Sequence, residues 1–187
     1  MSIIVIGFVT LDGIVSDPTG SEGTPRGGWA LRHGREVIDG DKFRLGRTLD
    51  EGVLLFGRET WQIFSRLWPG REGQFAARMN AAPKLVASRT LNATDTAAWA
   101  NSELLDSDVV DTVKQESRDV IVIGSLSIVH QLMAEDLIDE YRLLTFPTVL
   151  GTGDRLFPDG ALHGELECLS AEQAGPVVLS RYRRATA

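Results

Sequence analysis

Four short, mostly apolar runs rich in β-branched residues recur along the first two thirds of the chain. A continuous apolar run, in which polar and apolar positions do not alternate, is typical of a strand buried on both faces. Glycine or serine closes most of these runs, as expected where a buried strand ends. The pattern therefore predicts interior parallel strands at 3–9, 53–56, 84–87 and 120–123.

Between these runs, apolar residues recur at mixed spacings of three and four, which predicts helices. The predicted helices are 31–49, 61–67, 74–82, 109–117 and 128–134. Strands that alternate with helices indicate an α/β sheet with right-handed crossovers.

The last third of the chain has strand-like segments with no convincing helix between them. Such segments add antiparallel strands at one edge of a sheet. They lie at 140–149, 166–170 and 177–183. The predicted fold class is therefore α/β, with a mainly parallel mixed sheet and antiparallel C-terminal edge strands. Because no repeat or linker divides the chain, we expect a single domain over 1–187.

The segment 13–29 contains five glycines and two prolines, too many for a regular element. A loop of this length inside a compact domain is usually functional or mobile. We therefore expect this segment to act as a lid over a bound ligand.

Net charge, the lengths of the apolar runs, and the cysteines and histidines each exclude or disfavour a class of function. The formal net charge of −7 repels a polyanion, so general nucleic-acid binding is disfavoured. The first apolar run is far shorter than the ~20 residues of a membrane-spanning helix, and no basic region precedes it, so we expect a cytoplasmic protein without a membrane segment. Cys168 is the single cysteine, and the three histidines show no ligand spacing, so we assign no metal.

A strand–turn–helix pattern occurs twice. The strand at 53–56 leads into Gly57-Arg58-Glu59-Thr60, and the strand at 120–123 leads into Gly124-Ser125-Leu126. A helix start offers unpaired backbone N–H groups and the positive end of the helix dipole, which together favour a phosphate. A single such turn is also what any α/β protein uses to change direction. The pair, one member of which carries an arginine, favours phosphate binding.

The strand at 84–87 ends in Ser88-Arg89-Thr90. The carboxyl ends of parallel strands are where open α/β sheets bind ligands. Arg58 and Arg89 could therefore reach one phosphate, and the arginine fork suits the 2′-phosphate of NADP. Two solvated surface arginines are the alternative for each residue alone. A G-x-G-x-x-G fingerprint after a strand is absent from the sequence.

Four further residues are candidates for contact with a substrate. Asp12 ends the first strand and could bind a polar heterocycle or supply a proton, although Asp-Gly is also a tight-turn signal. Trp29 could stack on an aromatic ligand or anchor the loop. Asp39 and Asp41, on the predicted helix that follows, are further candidate acids, for which a solvated helix face is the alternative.

Several of these segments resemble dihydrofolate reductases. V-L-L-F-G-R-E-T-W at 53–61 looks like the strand-plus-G-R-x-T-W motif of that family. I-V-I-G-S-L-S-I-V-H-Q-L at 121–132 resembles its second glycine segment, although Ser125 and Leu126 replace further glycines. The segment G-D-R-L-F-P-D at 153–159 is similar to its late G-D-x-x-F-P-D stretch.

The resemblance is closer to the reductase domain of riboflavin biosynthesis and its stand-alone bacterial relatives. T-L-D-G at 10–13, L-I-D-E-Y-R-L at 137–143 and P-x-V-L-G-x-G-x-R-L-F at 147–157 look like signatures of that group. The resemblance implies a dihydrofolate-reductase-like three-layer α/β/α sandwich, NADPH as cofactor and a homodimer.

Residue by residue, the resemblance places the turn after 53–56 on the cofactor phosphates, the junction after 84–87 on the adenosine 2′-phosphate, and the turn after 120–123 on the pyrophosphate. Asp12 takes the role of substrate-contacting catalytic acid, and Trp29 and Asp39 are the other substrate candidates. The expected cofactor-binding residues are Gly57, Arg58, Glu59, Thr60, Ser88, Arg89, Thr90, Gly124, Ser125 and Leu126.

The sequence therefore predicts an NADPH-dependent oxidoreductase. Its substrate would be a small polar heterocycle or imine-like molecule, such as a pteridine or an aminopyrimidine. A non-catalytic nucleotide-binding or regulatory module that retains the NADP cradle is the alternative, because a fold and a cofactor site do not establish turnover.

Overall fold

The computed structural model describes residues 1–160 and 164–185. The described residues form eight strands joined by short helices and loops. The strands are β1 (Ile3–Thr10), β2 (Val53–Gly57), β3 (Lys84–Ala87), β4 (Ser102–Leu104), β5 (Val120–Ile123), β6 (Glu140–Phe146), β7 (Leu166–Ala174) and β8 (Val177–Arg184). The helices are α1 (Arg47–Glu51), α2 (Arg58–Leu67), α3 (Gln74–Ala81), α4 (Ala93–Thr96), α5 (Val109–Gln115) and α6 (Leu126–Ala134).

The strands form a mixed sheet in the order β4-β3-β2-β5-β1-β6-β8-β7. Strand β2 runs parallel to β3 and β5, and β3 runs parallel to β4. Strand β8 pairs antiparallel with both β6 and β7. The predicted interior strands and the antiparallel C-terminal edge are therefore confirmed.

The predicted helix over 31–49 is wrong. Two 3-10 turns, Ala30–His33 and Arg35–Val37, and the short helix α1 take its place. Gly34, Gly40 and Gly46 have positive φ angles of 96°, 81° and 50°, a left-handed conformation that interrupts an α-helix. The apolar spacing here reflects burial of single side chains between turns.

Two other differences have local causes. Strand β6 ends at Phe146, three residues earlier than predicted, because Pro147 has no N–H to donate to a sheet. Helix α4, which no apolar spacing indicated, begins at a capping box in which Asn92 and Asp95 bond to each other's backbone N–H groups.

The chain divides into two compact units. The first unit comprises Met1–Val5 and Leu45–Ile138, and the second comprises Ile6–Arg44 and the described residues from Asp139 onward. The central strands β2 and β5 form the core of the first unit, where Leu54, Phe56 and Ile121 are at most 1% exposed. The core of the second unit consists of Ile14, Trp29, Ala30, Val37, Leu144, Phe146, Leu150, Val177 and Leu179.

A single-domain organisation over 1–187 stays a prediction. None of the described helices is long and apolar enough to cross a membrane.

Candidate functional site

The two strand–turn–helix segments of the first unit are bonded directly to each other. The backbone N–H of Gly57 donates to Ser125 Oγ at 2.8 Å, and the backbone N–H of Ser125 donates to Thr60 Oγ1 at 3.0 Å. The parallel register pairs Leu55 with Val122, which brings the ends of β2 and β5 side by side. The structure therefore brings together the two turns that the sequence assigned to phosphates.

The first turns of α2 and α6 leave their amides open. No side chain caps either helix, whose N-cap residues are Gly57 and Ser125. Two other helices of the same unit are capped, α4 by Asn92 and α5 by Asp108, whose carboxylate accepts from Val110 N at 2.8 Å. Open amides at the positive end of a helix dipole are donors for an anion.

The turn after β5 has an unusual backbone conformation. Gly124 and Ser125 have φ angles of 58° and 51°, both in the left-handed region. A Cβ atom on Gly124 would lie 3.2 Å from Thr60 Cγ2, so the glycine permits the close approach of α2. Ser125 adopts a conformation that non-glycine residues use infrequently and that clusters at functional sites.

The third predicted junction follows the neighbouring strand of the sheet. Ala87 pairs with Gly57, so the segments after β3 and β2 begin at the same level. Ser88 Oγ accepts the backbone N–H groups of Thr90 at 3.2 Å and Leu91 at 3.0 Å, which fixes the turn. The side chains of Arg89 and Thr90 are exposed.

The two arginines of the predicted phosphate site differ in their partners. Arg58 Nη2 donates to Glu59 Oε1 at 3.1 Å, so its charge is already paired at the surface. Arg89 forms no hydrogen bond or ion pair within the described part of the chain. Arg89 is therefore the guanidinium that can take an anion without breaking an ion pair.

Asp12, in the second unit, bonds to the chain through both carboxylate oxygens. Thr10 Oγ1 donates to Oδ1 at 2.6 Å, the Leu150 N–H donates to both oxygens at 3.2 Å, and the Gly151 N–H donates to Oδ2 at 2.7 Å. The Thr10 hydroxyl and then the Gly151 amide lower the pKa of Asp12 to about 2. This arrangement favours a role in holding the turn over the role of proton donor.

Trp29 is completely buried in the core of the second unit. Its ring packs edge-on against Phe146 with 5.3 Å between centroids, and its Nε1 donates to the Ser16 carbonyl at 2.9 Å. With no exposed face, the indole fits the loop-anchoring alternative rather than stacking on a ligand.

Asp39 and Asp41 follow the 3-10 turns instead of lying on a long helix. Asp39 is exposed and Asp41 is half-buried. Both already take part in interactions within the chain. Their assignment to a substrate stays a prediction.

The segment 13–29 contains no helix or strand, as predicted, and Asp17 organises its middle part. Asp17 is 1% exposed and accepts the backbone N–H groups of Glu22 at 3.0 Å and Thr24 at 2.8 Å. Burial opposes its charge, but these hydrogen bonds outweigh burial and lower the pKa of Asp17. The lid function of this segment stays a prediction.

Two contacts in the second unit had no signal in the sequence. Arg26 Nη1 donates to the Leu150 carbonyl, and His33 Nε2 lies 2.9 Å from Thr148 Oγ1. Both pairs join residues more than 100 positions apart, so no local spacing indicates them.

Comparison with known proteins identifies the family. The model of the RibD C-terminal domain matches residues 1–180, and the chain belongs to the RibD C-terminal domain family. A curated relative is the uncharacterized protein YyaP of Bacillus subtilis, which is 29% identical over 113 residues. That alignment covers 57% of this chain and 60% of YyaP, so the chain spans about three fifths of the relative's length.

Two solved structures have a similar fold. A protein from Shewanella sp. PV-4 with a provisional riboflavin-biosynthesis name has a TM-score of 0.71 and 20% identity, over 100% of both chains. A pyrimidine reductase-like protein from Corynebacterium diphtheriae has a TM-score of 0.57 and 10% identity, covering 100% of this chain and 92% of its own. The fold is the α/β fold of the dihydrofolate-reductase-like proteins, as predicted. Membership of the RibD C-terminal domain family supports a reductase-type role.

Proposed function

We propose that this chain is an NADPH-dependent reductase that transfers hydride to a small polar heterocycle or imine-like substrate. One observation carries the proposal: two helices with uncapped first turns begin side by side at the carboxyl ends of neighbouring parallel strands. Ligands of open α/β sheets bind at such strand ends. The donor set fits a pyrophosphate because it consists of backbone amides at two positive helix ends.

The amides of 58–60 at the start of α2, with those of Leu126 and Ser127 at the start of α6, would hold the pyrophosphate. Arg89 would bind the adenosine 2′-phosphate, since its guanidinium is exposed and unpaired among the described residues. A guanidinium can form two parallel hydrogen bonds with one phosphate, which an uncharged ribose hydroxyl cannot match. Arg89 should therefore give the site a preference for NADPH over NADH.

The bound nicotinamide would supply the hydride, and the protein supplies binding, orientation and electrostatics. Asp12 is ionised at neutral pH because its pKa is about 2. It therefore holds the Leu150–Gly151 backbone against the end of β1 and does not itself deliver the proton. The substrate roles of Asp39 and Asp41 belong to this proposal as predictions.

Titration of the purified protein with NADPH and NADH, followed by cofactor fluorescence, tests the proposal. Arg89→Ala should weaken NADPH binding roughly 10- to 100-fold and change NADH binding little, because a charge-assisted contact to the 2′-phosphate is lost. Arg66→Ala, an exposed arginine in the last turn of α2, is the matched control and should leave both affinities unchanged.

Three outcomes would contradict parts of the proposal. An equal loss of NADPH and NADH affinity in Arg89→Ala would remove the 2′-phosphate assignment. A wild-type protein that binds no NADPH would overturn the cofactor proposal. Tight NADPH binding without NADPH oxidation, across a panel of pterins, aminopyrimidine ribosides and quinone-like heterocycles, would favour the non-catalytic module.

The homodimer, the small-molecule substrate and the cytoplasmic location stay predictions. Multi-angle light scattering on the purified chain would measure the oligomeric state directly.

A further inference from the structure

Ser125 does not cap the helix that it precedes. Serine before a helix normally accepts a hydrogen bond from an amide in the first turn of that helix. Here no such bond forms, and Ser125 Oγ accepts the backbone N–H of Gly57 at 2.8 Å instead. The same hydroxyl lies 3.4 Å from the Ile123 carbonyl, to which it donates.

The left-handed backbone of Ser125 makes this bond possible. With φ of 51° and ψ of 54°, Ser125 directs its side chain toward β2, where a Cβ on Gly57 would lie 3.5 Å from Ser125 Oγ. The backbone N–H of Ser125 is in turn accepted by Thr60 Oγ1 at 3.0 Å. Two reciprocal hydrogen bonds therefore join the start of α2 to the start of α6.

We propose that Ser125 is a positioning residue that fixes the two helix starts relative to each other before the cofactor binds. The Ser125 hydroxyl accepts the hydrogen bond of the Gly57 N–H, so this N–H is not available to a phosphate. Because Ser125 does not cap α6, the backbone N–H groups in the first turns of α2 and α6 stay open, and these are the donors that the proposed function assigns to the pyrophosphate. This role rests on the proposed function. It makes Ser125 a positioning residue instead of a phosphate ligand.

Preorganisation of this kind raises affinity because the protein does not have to order the site at the moment of binding. Removing the Ser125 hydroxyl breaks one of the two reciprocal hydrogen bonds that fix the site, so the affinity for the pyrophosphate should fall. Binding of the adenosine 2′-phosphate should not change, because Arg89 lies on the junction after β3 and does not depend on the Ser125 hydroxyl.

The test measures dissociation constants for NADPH and for adenosine 2′-monophosphate, which lacks the pyrophosphate. Both Ser125→Ala and Ser125→Gly remove the hydroxyl, and Ser125→Gly also relieves the left-handed conformation. Each should raise the Kd for NADPH about fivefold to tenfold, which is the range expected for one hydrogen bond, and leave the Kd for the fragment unchanged. Ser125→Gly should melt at a higher temperature than Ser125→Ala. Ser117→Ala, at an exposed site, is the control.

Hydrogen exchange of the free protein gives a readout that does not need the cofactor. The Gly57 amide should be protected in the wild type and in Ser117→Ala, and it should exchange faster in both Ser125 variants. Unchanged exchange at Gly57, an equal loss of affinity for NADPH and the fragment, or unchanged NADPH affinity would each overturn the positioning role. A wild type that binds no NADPH while Gly57 stays protected would instead overturn the proposed function.

Discussion

In the first unit, the two ends of the parallel strands use their polar groups in opposite ways. At the amino end, the buried Lys84 ammonium donates to three backbone carbonyls and lies 4.4 Å from the centre of the Trp99 ring. The three acceptors, at distances between 2.6 and 3.0 Å, are the carbonyls of Asn80, Ala82 and Ala100. Asp119 directly precedes β5, and its carboxylate accepts the backbone N–H of Ser2 at 2.8 Å. The Lys84 ammonium and the Asp119 carboxylate therefore bond within the chain, and we call this amino end of the parallel strands the sealed end.

At the carboxyl end, which we call the open end, the first turns of α2 and α6 leave backbone donors without a side-chain cap. Side-chain hydroxyls of Thr60 and Ser125 join the two turns, and neither caps a helix. The exposed Arg89 has no partner among the described residues. The polar groups of the amino end are therefore bonded within the fold, whereas the carboxyl end is where we propose that a ligand binds, because open α/β sheets hold ligands at the carboxyl ends of their strands.

The largest expected effect is at the sealed end. Lys84→Met should lower the free energy of unfolding by about 3 kcal/mol, because three carbonyls lose a charged donor in a buried place. Burial lowers the pKa of Lys84 to about 8, so the ammonium still carries its charge at pH 7. Urea unfolding at pH 7 measures the loss.

Lys114→Met is the control for this change. Lys114 is half-exposed and forms a surface ion pair of 3.6 Å with Glu135, so its removal should change stability by less than about 1 kcal/mol. The folded fraction of Lys84→Met should bind NADPH as the wild type does. If Lys84→Met loses NADPH affinity while it stays folded, the two ends do not have separate roles in stability and binding.

The strands and the pair of turns could be predicted from the sequence because their signals are local. Uninterrupted apolar runs identified β2, β3 and β5, and glycine after two of them marked the turns at 57 and 124. Local patterns also gave the antiparallel C-terminal edge, since no helical spacing separates β7 from β8. These features depend on residues that are neighbours in the chain.

Features that depend on distant partners could not be predicted in the same way. Asp12 and Trp29 had two open interpretations each, and the choice depends on Leu150 and Phe146, more than 100 residues away.

The apolar spacing at 31–49 indicated a helix, but glycines with positive φ break it into turns. A period of three to four residues shows which side chains can be buried together and does not show that the backbone between them is helical.

A smaller effect is expected at the open end, where the two glycines differ in conformation. Gly124→Ala should lower the free energy of unfolding by about 1–2 kcal/mol, because φ of 58° disfavours any side chain and the new Cβ would lie 3.2 Å from Thr60 Cγ2. Gly57→Ala should change stability by less than about 0.5 kcal/mol, since φ of −79° suits alanine and the nearest atom is 3.5 Å away.

Thermal melts of the two glycine variants measure this difference. A loss in Gly57→Ala as large as that in Gly124→Ala would mean that crowding between the turns, and not the left-handed backbone, limits the site. NADPH affinity measured on the same samples shows whether the closeness of α2 and α6 matters for binding.

The smallest effect is expected at the carboxyl end of β1. The polar side chain there, Asp12, is bonded within the chain, as the polar groups at the sealed end of the first unit are. Hydrogen bonds from Thr10, Gly151 and Leu150 lower the pKa of Asp12 from 3.8 to about 2. A carboxylate with a lowered pKa contributes stability above its unfolded value and loses that contribution as the pH falls through its folded value. Asp12→Asn should therefore melt with a weaker pH dependence between pH 4 and pH 2 than the wild type.

Melting temperatures at several pH values in this window, with the exposed Asp106→Asn as control, separate two roles for Asp12. A residue that holds the Leu150–Gly151 turn changes the acid stability of the protein when it is replaced, because the anion is the form that accepts those amides. A residue whose function is only to donate a proton leaves acid stability unchanged and removes turnover. If the melting profile of Asp12→Asn does not change, Asp12 does not hold the Leu150–Gly151 turn, and the end of β1 would resemble the open end of the first unit instead of the sealed end.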